Sequence, residues 1–281
     1  MPGVRVVTDS ACDLSDELAA RYGIDVVPLT IRFGDEELLD RRDVSPAEFW
    51  RRCEASPVLP ETAAPPPGAF TNAYERAAAD GAAGVLCLTL SSGVSATYQA
   101  ALAGTALLEG RLPVVVVDTR SLTMGQGLMC IATAELAATG ASLDQAAALA
   151  RDLVARTRVL GVLDTLDHLQ RGGRIGGAAA LLGSLLSIKP VIEVRDGVVE
   201  QESRQRTRGR ALDYLAAKVV ADAPLERLAV CDGSAPDIDA IVDRLRKAEV
   251  AHELVLTDLG PVVGTHSGPA AVGVAYQLPR R

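Results

Sequence analysis

The chain has 281 residues, and its 28 Lys and Arg against 36 Asp and Glu give a formal net charge of −8. This acidic balance argues against nucleic-acid binding, which needs a basic face to neutralise phosphates. Hydrophobic residues make up 48% of the chain but aromatic residues only 3%. We therefore expect an aliphatic interior, large enough for one or two domains and for an internal cavity.

No stretch of the sequence predicts a membrane span, because apolar runs such as 114–117 and 178–186 are far shorter than the ~20 residues that cross a bilayer. The opening MPGVRVVTDS leads into a strand pattern without the regions of a signal peptide. The five cysteines form no CxxC motif and no Cys/His pair, which favours buried thiols over disulfides or zinc. We therefore expect a cytoplasmic protein with no metal and no cofactor.

Throughout the chain, short β-branched runs alternate with Ala-rich segments, a pattern typical of α/β proteins with parallel strands. A Pro-rich segment at 57–67 predicts a stiff loop that is neither helical nor part of a central strand. The predicted strands are 4–8, 24–33, 84–90 and 113–118, and the predicted helices are 13–22, 46–53, 68–80, 94–108, 124–138 and 143–156.

Near residue 157 the pattern changes, and we predict domains over 1–157 and 158–281. Asp196-Gly197 is a strong two-residue hairpin signal between apolar runs. The chain ends in a glycine-rich segment that predicts a loop before a last strand. In order, the predictions are a strand at 159–163, a Gly/Arg-rich turn at 171–177, an apolar segment at 178–186, strands at 188–194 and 198–203, a helix at 207–221, a strand at 228–231, a helix at 236–248 and a strand at 251–257.

Ser95 is the first candidate for a ligand contact. The segment LTLSSGVSATYQ (88–99) predicts a strand, a Ser/Gly turn and the start of a helix. Ligands of open α/β sheets gather where strands end and helix N-termini point, and the free N–H groups there favour an anion. The simpler interpretation of this segment alone is that its serines cap the helix.

Two further candidates are Thr62, in the Pro-rich loop, and His266, in GTHSGPAAVG. Gly264 and Gly268 flank the histidine and would let the backbone approach a ligand closely. Taken alone, Thr62 is an ordinary turn hydroxyl, and a lone histidine is more often structural.

Arginines are concentrated in RGGRIGG (171–177) and QESRQRTRGR (201–210) of this acidic chain. A solvated surface is the usual explanation for such runs. Residues 171–177 lack the GxxxxGK[ST] pattern of a phosphate-binding loop, and the GxGxxG motif of dinucleotide binding does not occur in the chain.

The ordered combination of these segments resembles the DegV family, the fatty-acid-binding subunits (FakB type) of bacterial fatty acid kinase. The similarity is carried across nearly the whole chain by VTDSACDL (6–13), the Thr62 loop, LSSGVSATYQAA (90–101), VDTRSLTMGQG (117–127), LDHLQRGGRIGG (166–177), LLSIKPVIEVRDG (185–197), RTR (206–208) and GTHSGPAAVG (264–273).

The resemblance implies two α/β domains with a lipid pocket between or within them. It implies a carrier, not an enzyme, that presents a long-chain fatty acid to a separate ATP-dependent kinase for acyl phosphate formation and phospholipid synthesis. By motif position, the carboxylate contacts are Thr62, Ser95 and His266, with the backbone N–H of Ala96 as a further donor. The departures from the family pattern are Ala63, Ala96, Gly176 and Ala270, which bear on the head-group geometry.

The kinase would dock on the arginines around the second domain's hairpin. We predict Arg206 first, and the further candidates are Arg174, Arg171, Arg204, Arg208 and Arg210. Two other functions stay open. Ser95 and His266 could belong to an acyl hydrolase, although GVSAT is one residue short of GxSxG. The chain could also be a small-molecule-binding regulatory domain.

Overall fold

The computed structural model describes residues 3–56, 58–181 and 188–280. Residue 57 of the Pro-rich loop and residues 182–187 of the predicted apolar segment lie outside this range. The strands are β1 (Val4–Asp9), β2 (Ile24–Val27), β3 (Thr30–Phe33), β4 (Glu36–Leu39), β5 (Glu61–Ala63), β6 (Gly84–Thr89), β7 (Val114–Asp118), β8 (Thr157–Val162), β9 (Lys189–Arg195), β10 (Val198–Gln205), β11 (Arg227–Gly233), β12 (Val255–Asp258) and β13 (Ala271–Gln277).

The helices interleave with these strands, and two short 3-10 helices cover Ser10–Cys12 and Gly176–Leu181. The α-helices are α1 (Asp16–Tyr22), α2 (Pro46–Ala55), α3 (Pro67–Ala79), α4 (Thr97–Ala106), α5 (Thr123–Ala138), α6 (Leu143–Arg156), α7 (Asp167–Arg171), α8 (Arg208–Ala221), α9 (Ile238–Leu245) and α10 (Pro261–Ser267).

The first sheet has the strand order β2-β1-β6-β7, and all its strands are parallel. The chain leaves β1 toward β2 on one side and later returns to β6 on the other, so a topological switch point lies between β1 and β6. Open α/β sheets bind ligands at the carboxyl ends of the strands at such a point. A small antiparallel sheet, in the order β4-β3-β5, has the Pro-rich segment's strand β5 at its edge.

The second sheet has six strands in the order β10-β9-β8-β13-β11-β12. Only β11 and β12 are parallel, and the other neighbouring pairs are antiparallel. Our expectation of parallel strands was therefore wrong for the second half of the chain. The local patterns of a buried parallel and a buried antiparallel strand are similar, and the pairing of β8 with the distant β13 is not visible in them. The α/β fold class itself is confirmed.

Helix α5 packs between the two large sheets, with 13 of its 16 residues buried. One apolar core includes Leu86 of β6, Leu128 of α5 and Ala275 of β13. The six-stranded sheet begins at Thr157, the last residue of the first predicted domain. The division into 1–157 and 158–281 follows the sheets and stays a proposal, because this core is continuous across them.

Several predicted elements differ from the structure in their bounds, such as the strand predicted at 251–257, which covers Val255–Asp258. Three differences bear on the site. The segment 24–33 is two strands in different sheets, β2 and β3, because Pro28 between them cannot donate to a strand ladder. Helix α4 begins at Thr97 instead of Val94, and Ser95 precedes it. His266 lies on the short helix α10 and not in a glycine-rich loop. Pro261 at the start of α10 and Gly268 just after it are the helix-boundary signals that we overlooked.

All five cysteines are free, and Cys12, Cys87, Cys130 and Cys231 are buried, as expected. In the part of the chain that the structure describes, no helix is both long and apolar enough to cross a membrane.

Candidate functional site

The carboxyl ends of β1 and β6 meet at the switch point of the first sheet. There the buried Asp9 carboxylate accepts hydrogen bonds from the backbone N–H groups of Leu90, at 2.8 Å, and Ala11, at 3.1 Å. Burial raises the pKa of Asp9 to about 7. Asp9 therefore fixes the start of the turn that follows β6, which is the turn that carries Ser95.

A cavity opens next to this turn, with about 1090 Å³ of space free of protein atoms when its open mouth is included. Its polar lining residues are the predicted Thr62, Ser95, His266 and Arg174 together with Thr123, Glu193 and Ser267, and the rest of the lining is aliphatic or glycine. From the first half of the chain, the lining includes Leu29, Thr62, Leu90, Val94, Ser95 and Ala96; from the second half, it includes Val159, Gly161, Leu163, Arg174, Ile192, Val199, Val262, His266 and Gly273. The cavity thus lies between the two large sheets.

Thr62 and His266 contact each other although 204 residues separate them in sequence. The Oγ1 of Thr62 lies 2.9 Å from the Nε2 of His266. Thr62 is held on β5 by its pairing with Ile31 of β3, and His266 projects from α10. Both side chains line the cavity.

His266 is neutral in this environment. Its burial, with the nearby positive charges of Arg174 and His168, lowers its pKa to about 4. The Nδ1 atom is buried without a hydrogen-bond partner among the described residues, and Gly172 packs so closely that a Cβ there would lie 2.2 Å from Nδ1. An unpaired N–H is costlier to bury than an unpaired acceptor, so we assign the proton to Nε2. Nε2–H then donates to Thr62, whose own hydroxyl proton can turn toward a ligand.

Ser95 lies in the turn between β6 and α4. Its backbone N–H donates to the carbonyl of Ser91, at 3.2 Å. Its hydroxyl lies 2.9 Å from the Oγ1 of Thr97 and accepts from the Thr97 N–H, at 3.3 Å. The N-cap residue of α4 is Ala96, without a side-chain cap hydrogen bond, so Ser95 is not the N-cap residue that the simpler interpretation expects. Ser95 and the adjacent Ala96 both line the cavity.

Arg174 is a cavity residue that our sequence reasoning assigned to a docking surface. Its Nε donates to the carbonyl of Val94, at 3.1 Å, and its Nη1 to the carbonyl of Gly172, at 2.6 Å. These bonds hold the guanidinium beside the Ser95 turn, in the cavity lining. No local signal in the sequence marks this position, because an arginine among glycines is usually solvated.

Of the other docking candidates, Arg171, Arg204, Arg206 and Arg210 are exposed. Arg208 of the same run is instead engaged in a salt bridge. Its Nε and Nη2 each lie 2.7 Å from one carboxylate oxygen of Asp237, and its Nη1 lies 3.0 Å from Asp164. Arg208 therefore has a structural partner.

Two paired glycines line the cavity and have no side chain to fill it. Gly161 of β8 pairs directly with Gly273 of β13, and both line the cavity. Ile192 flanks this pair on β9 and Cys231 flanks it on β11. A glycine in a strand interior often marks a place where a ligand approaches the backbone closely. The Gly161–Gly273 pair therefore gives room for a chain that crosses the sheet.

Contacts between the two halves of the chain position the site. Ser91 Oγ donates to the carbonyl of Gly197 at the tip of the β9–β10 hairpin, at 2.6 Å. Arg120 donates to the carbonyl of Asp196, at 2.9 Å. The hairpin tip is thereby fixed against the turn that carries Ser95.

The carboxylate of Asp13 makes a second connection. It accepts from the Thr123 hydroxyl, at 2.6 Å, and from the N–H of Gly260 at the start of α10, at 3.1 Å. A Cβ at Gly260 would lie 2.6 Å from the carboxylate. Asp13 thus ties the helix that carries His266 to α5. Sequence reasoning quoted VTDSACDL as a motif but did not assign roles to Asp9 or Asp13.

The hydrogen bonds do not support a hydrolase. Among the described residues, His266 pairs with Thr62 and Ser95 pairs with Thr97, so the nucleophile–base contact that an acyl hydrolase needs is not made. A neutral imidazole N–H, two hydroxyls and a guanidinium at one end of an aliphatic cavity suit a carboxylate with a long apolar tail.

The chain is similar to known proteins over nearly its whole length. The family model described as an uncharacterised protein of the DegV family matches residues 3–278. A DegV domain-containing protein of Streptomyces coelicolor is 38% identical, covering 96% of this chain and 97% of the relative. The fold is similar to a DegV family protein from Thermus thermophilus described for its fatty acid binding, with a TM-score of 0.88, 32% identity and coverage of 98% and 100% of the two chains.

A second solved structure, DegV of Bacillus subtilis, described as a fatty acid binding protein, has a TM-score of 0.87 and 28% identity, and the match covers 99% of this chain and 100% of that one. The family model spans almost the entire sequence, and the relatives are matched over nearly their full length. The chain therefore belongs to the DegV family.

Proposed function

We propose that this protein binds one long-chain fatty acid and presents its carboxylate to a separate ATP-dependent kinase, which forms an acyl phosphate. The observation that carries the proposal is the Thr62–His266 contact at one end of the aliphatic cavity, with Ser95 and Arg174 in the same lining. The fatty acid binding described for the Thermus thermophilus and Bacillus subtilis proteins supports the same ligand class.

The energetics favour an enclosed tail. At about 0.8 kcal/mol per buried methylene, a tail of roughly fourteen methylenes gains on the order of 11 kcal/mol before the cost of association. A carboxylate buried without partners would cost several kcal/mol. In the proposed complex, the hydroxyls of Thr62 and Ser95 donate to its oxygens, and Arg174 supplies the compensating charge.

The neutral state of His266 is useful in this arrangement. Because its pKa is lowered to about 4, the imidazole is neutral at neutral pH and its one N–H donates to Thr62. The Thr62 hydroxyl proton is thereby left for the acid, and Arg174 remains the group that supplies positive charge.

Lipid extraction tests the binding part of the proposal. Protein purified from a bacterial host should carry about one fatty acid per chain, seen by mass spectrometry of an organic extract. After delipidation, palmitate or oleate should raise the melting temperature, as a ligand of the native state must. An extract without acyl chains, together with no melting shift, would refute fatty acid binding.

Kinase presentation requires a docking surface, for which we propose the exposed arginines Arg206, Arg204 and Arg171. Exposed arginines on a chain of net charge −8 would attract an acidic partner surface, with an association rate that falls as salt rises. Arg206→Ala should leave fatty acid affinity unchanged and slow acyl phosphate formation by the cognate kinase.

Arg151→Ala is the matched control, because Arg151 is an exposed arginine on α6, outside the proposed docking surface. The kinase should phosphorylate the fatty acid bound to this variant at the normal rate. Normal rates for Arg206→Ala at every salt concentration would show that these arginines do not dock the kinase. Weak fatty acid binding by Arg206→Ala would place that residue in the binding site instead.

A further inference from the structure

A separate cavity, with about 660 Å³ of space when open solvent is included, is formed by the segment after β1, the end of β4, the start of α2 and the segment from β12 to α10. We call it the acidic cavity. It shares no lining residue with the main cavity. Its charged lining residues among those the structure describes are Asp13, Asp16, Asp40, Asp258 and Arg41.

Asp40 is the residue of this cavity that indicates a ligand. It is only 1% exposed, and neither of its carboxylate oxygens has a hydrogen-bond partner among the described residues. The hydroxyl of Ser10 and the backbone N–H of Arg41 are near enough to lower its pKa but do not reach hydrogen-bond geometry with either oxygen. Buried polar groups are almost always paired, so two free acceptor oxygens need an explanation.

The backbone holds Asp40 in this position. Its N–H donates to the carbonyl of Leu29, at 2.9 Å, and the next N–H, of Arg41, donates to the carbonyl of Val44, at 3.1 Å. The guanidinium of Arg41 forms a salt bridge with Asp16, and its Nη1 has no partner among the described residues. Arg41 therefore does not close onto the carboxylate of Asp40.

Two carboxylates of the lining are left without a counterion. Asp16 has Arg41, and burial raises the pKa of Asp13 to about 8, so that Asp13 is mainly protonated at neutral pH. Burial raises the pKa of Asp40 only to about 6, which leaves it mainly ionised. The pKa of Asp258 is raised by burial and by the charge of Asp232, and no basic group acts on it. The uncompensated charge is therefore that of Asp40 and Asp258.

A cation with N–H donors and two charges matches this lining. An ammonium group has three donors and no acceptor, so it can use both oxygens of Asp40, and Ser45 adds a hydroxyl oxygen in the same lining. A divalent metal ion fits less well, because Ca²⁺ and Mg²⁺ take about six or more oxygen ligands. Among the described residues, no group of three or more acidic, His or Cys side chains is arranged to hold a metal.

We propose that the acidic cavity binds a small aliphatic diamine in its protonated form, with one ammonium group at Asp40 and the other at Asp258. Asp40 is buried and Asp258 is exposed, so the molecule enters with one end and keeps the other at the mouth. Leu14, Pro46 and Pro261 of the lining supply apolar surface for the methylenes between the two ammonium groups.

The test is calorimetric titration of the full chain with putrescine in a buffer of low ionic strength. The wild type should bind about one putrescine per chain, at least about fivefold more tightly than n-butylamine, which has one ammonium group fewer. The fully N-methylated analogue of putrescine keeps both charges but has no N–H donor. It should bind at least about tenfold more weakly than putrescine, because it cannot hydrogen-bond to Asp40.

Asp40→Asn should weaken putrescine binding at least about tenfold, since it removes the buried partner of a charge pair. Asp258→Asn should weaken it about threefold, because an exposed charge pair contributes less. Asp35→Asn is the matched control, since Asp35 is exposed in the turn between β3 and β4 and outside the lining. It should bind putrescine like the wild type. Melting curves check that the variants are folded, and Asp258→Asn decides if Asp40→Asn is not.

The absence of saturable putrescine binding would overturn the proposal. Equal affinity for the N-methylated analogue, or an equal loss in Asp35→Asn, would also overturn it by assigning the binding to general charge attraction. Equal affinity for n-butylamine would contradict the role of Asp258. If Ca²⁺ bound in a manner that Asp40→Asn abolishes and putrescine did not bind, the cavity would be a metal site and the diamine assignment would be wrong.

Discussion

Replacing Gly161 by alanine should stabilise the protein and lower its affinity for the fatty acid. A Cβ at Gly161 would lie 3.4 Å and 3.6 Å from two side-chain carbons of Ile192 and 3.7 Å from the Val272 carbonyl oxygen. These are ordinary contact distances, so the methyl group fits the protein. Gly161 is in β8 and does not have positive φ. A glycine-to-alanine change at such a position raises stability by about 0.4–1 kcal/mol.

The same methyl group occupies space in the cavity, because Gly161 lines it opposite Gly273. If it displaces one methylene of the ligand's tail from a buried position, binding loses about 0.8 kcal/mol. That loss is roughly a fourfold increase in Kd. Gly161→Val, with two further carbons, should weaken binding more.

Urea unfolding of delipidated protein measures the stability, and calorimetric titration with stearate measures Kd. Gly209→Ala is the matched control, since Gly209 lies in α8 and a Cβ there would meet nothing within 4 Å. It should gain stability, by up to about 1 kcal/mol, with an unchanged Kd. An unchanged Kd in both Gly161 variants would refute the reasoning, because the tail would then not cross the glycine pair.

Ser95→Ala should weaken binding of the acid by about 1.5–3 kcal/mol, the worth of a hydrogen bond to a charged group, and His266→Ala should weaken it as well, because the Thr62 hydroxyl loses the donor that turns its proton toward the acid. Both changes should affect the methyl ester much less, and equal losses for acid and ester in calorimetry would show that these residues only shape the pocket. Burial raises the pKa of Asp13 from 3.8 to about 8, so between about pH 4 and pH 8 the folded chain holds a proton that the unfolded chain releases, and stability falls as the pH rises. Asp13→Asn cannot ionise and should remove part of this slope in urea unfolding between pH 5 and pH 8; an identical slope would contradict the assigned pKa. Arg208→Ala, which breaks the two-pronged contact with Asp237, should destabilise the chain by about 1–3 kcal/mol without a direct effect on lipid affinity, whereas an unchanged urea midpoint would show that the contact is not stabilising.

The sequence by itself determined the features that depend on local chemistry. Helix α6 has the predicted bounds, and its start at Ser142 carries a full capping box. The Asp196-Gly197 hairpin forms as its two-residue signal predicts. Capping residues, glycines and periodic apolar positions act over a few residues, so they can be read without knowing the fold.

The antiparallel pairing of most strands in the second sheet was decided by tertiary structure alone. Strand β8 lies beside β13, which follows it by more than a hundred residues, and their antiparallel pairing leaves no trace in either segment. The αL backbone at Asp13 and Thr123 likewise depends on the contact between those two residues. Non-local pairing of this kind is set by which apolar faces can be buried together.

The candidate site divides in the same way. Motif resemblance indicated Thr62, Ser95 and His266, but only the fold brings Thr62 within 2.9 Å of His266 across 204 residues of sequence. Arg174 was assigned to an exposed surface, because an arginine among glycines is usually solvated and its sequence does not say which way the side chain turns. Its bonds to the carbonyls of Val94 and Gly172 hold it in the cavity lining, and Val94, 80 residues away in sequence, is close to it only in the folded chain.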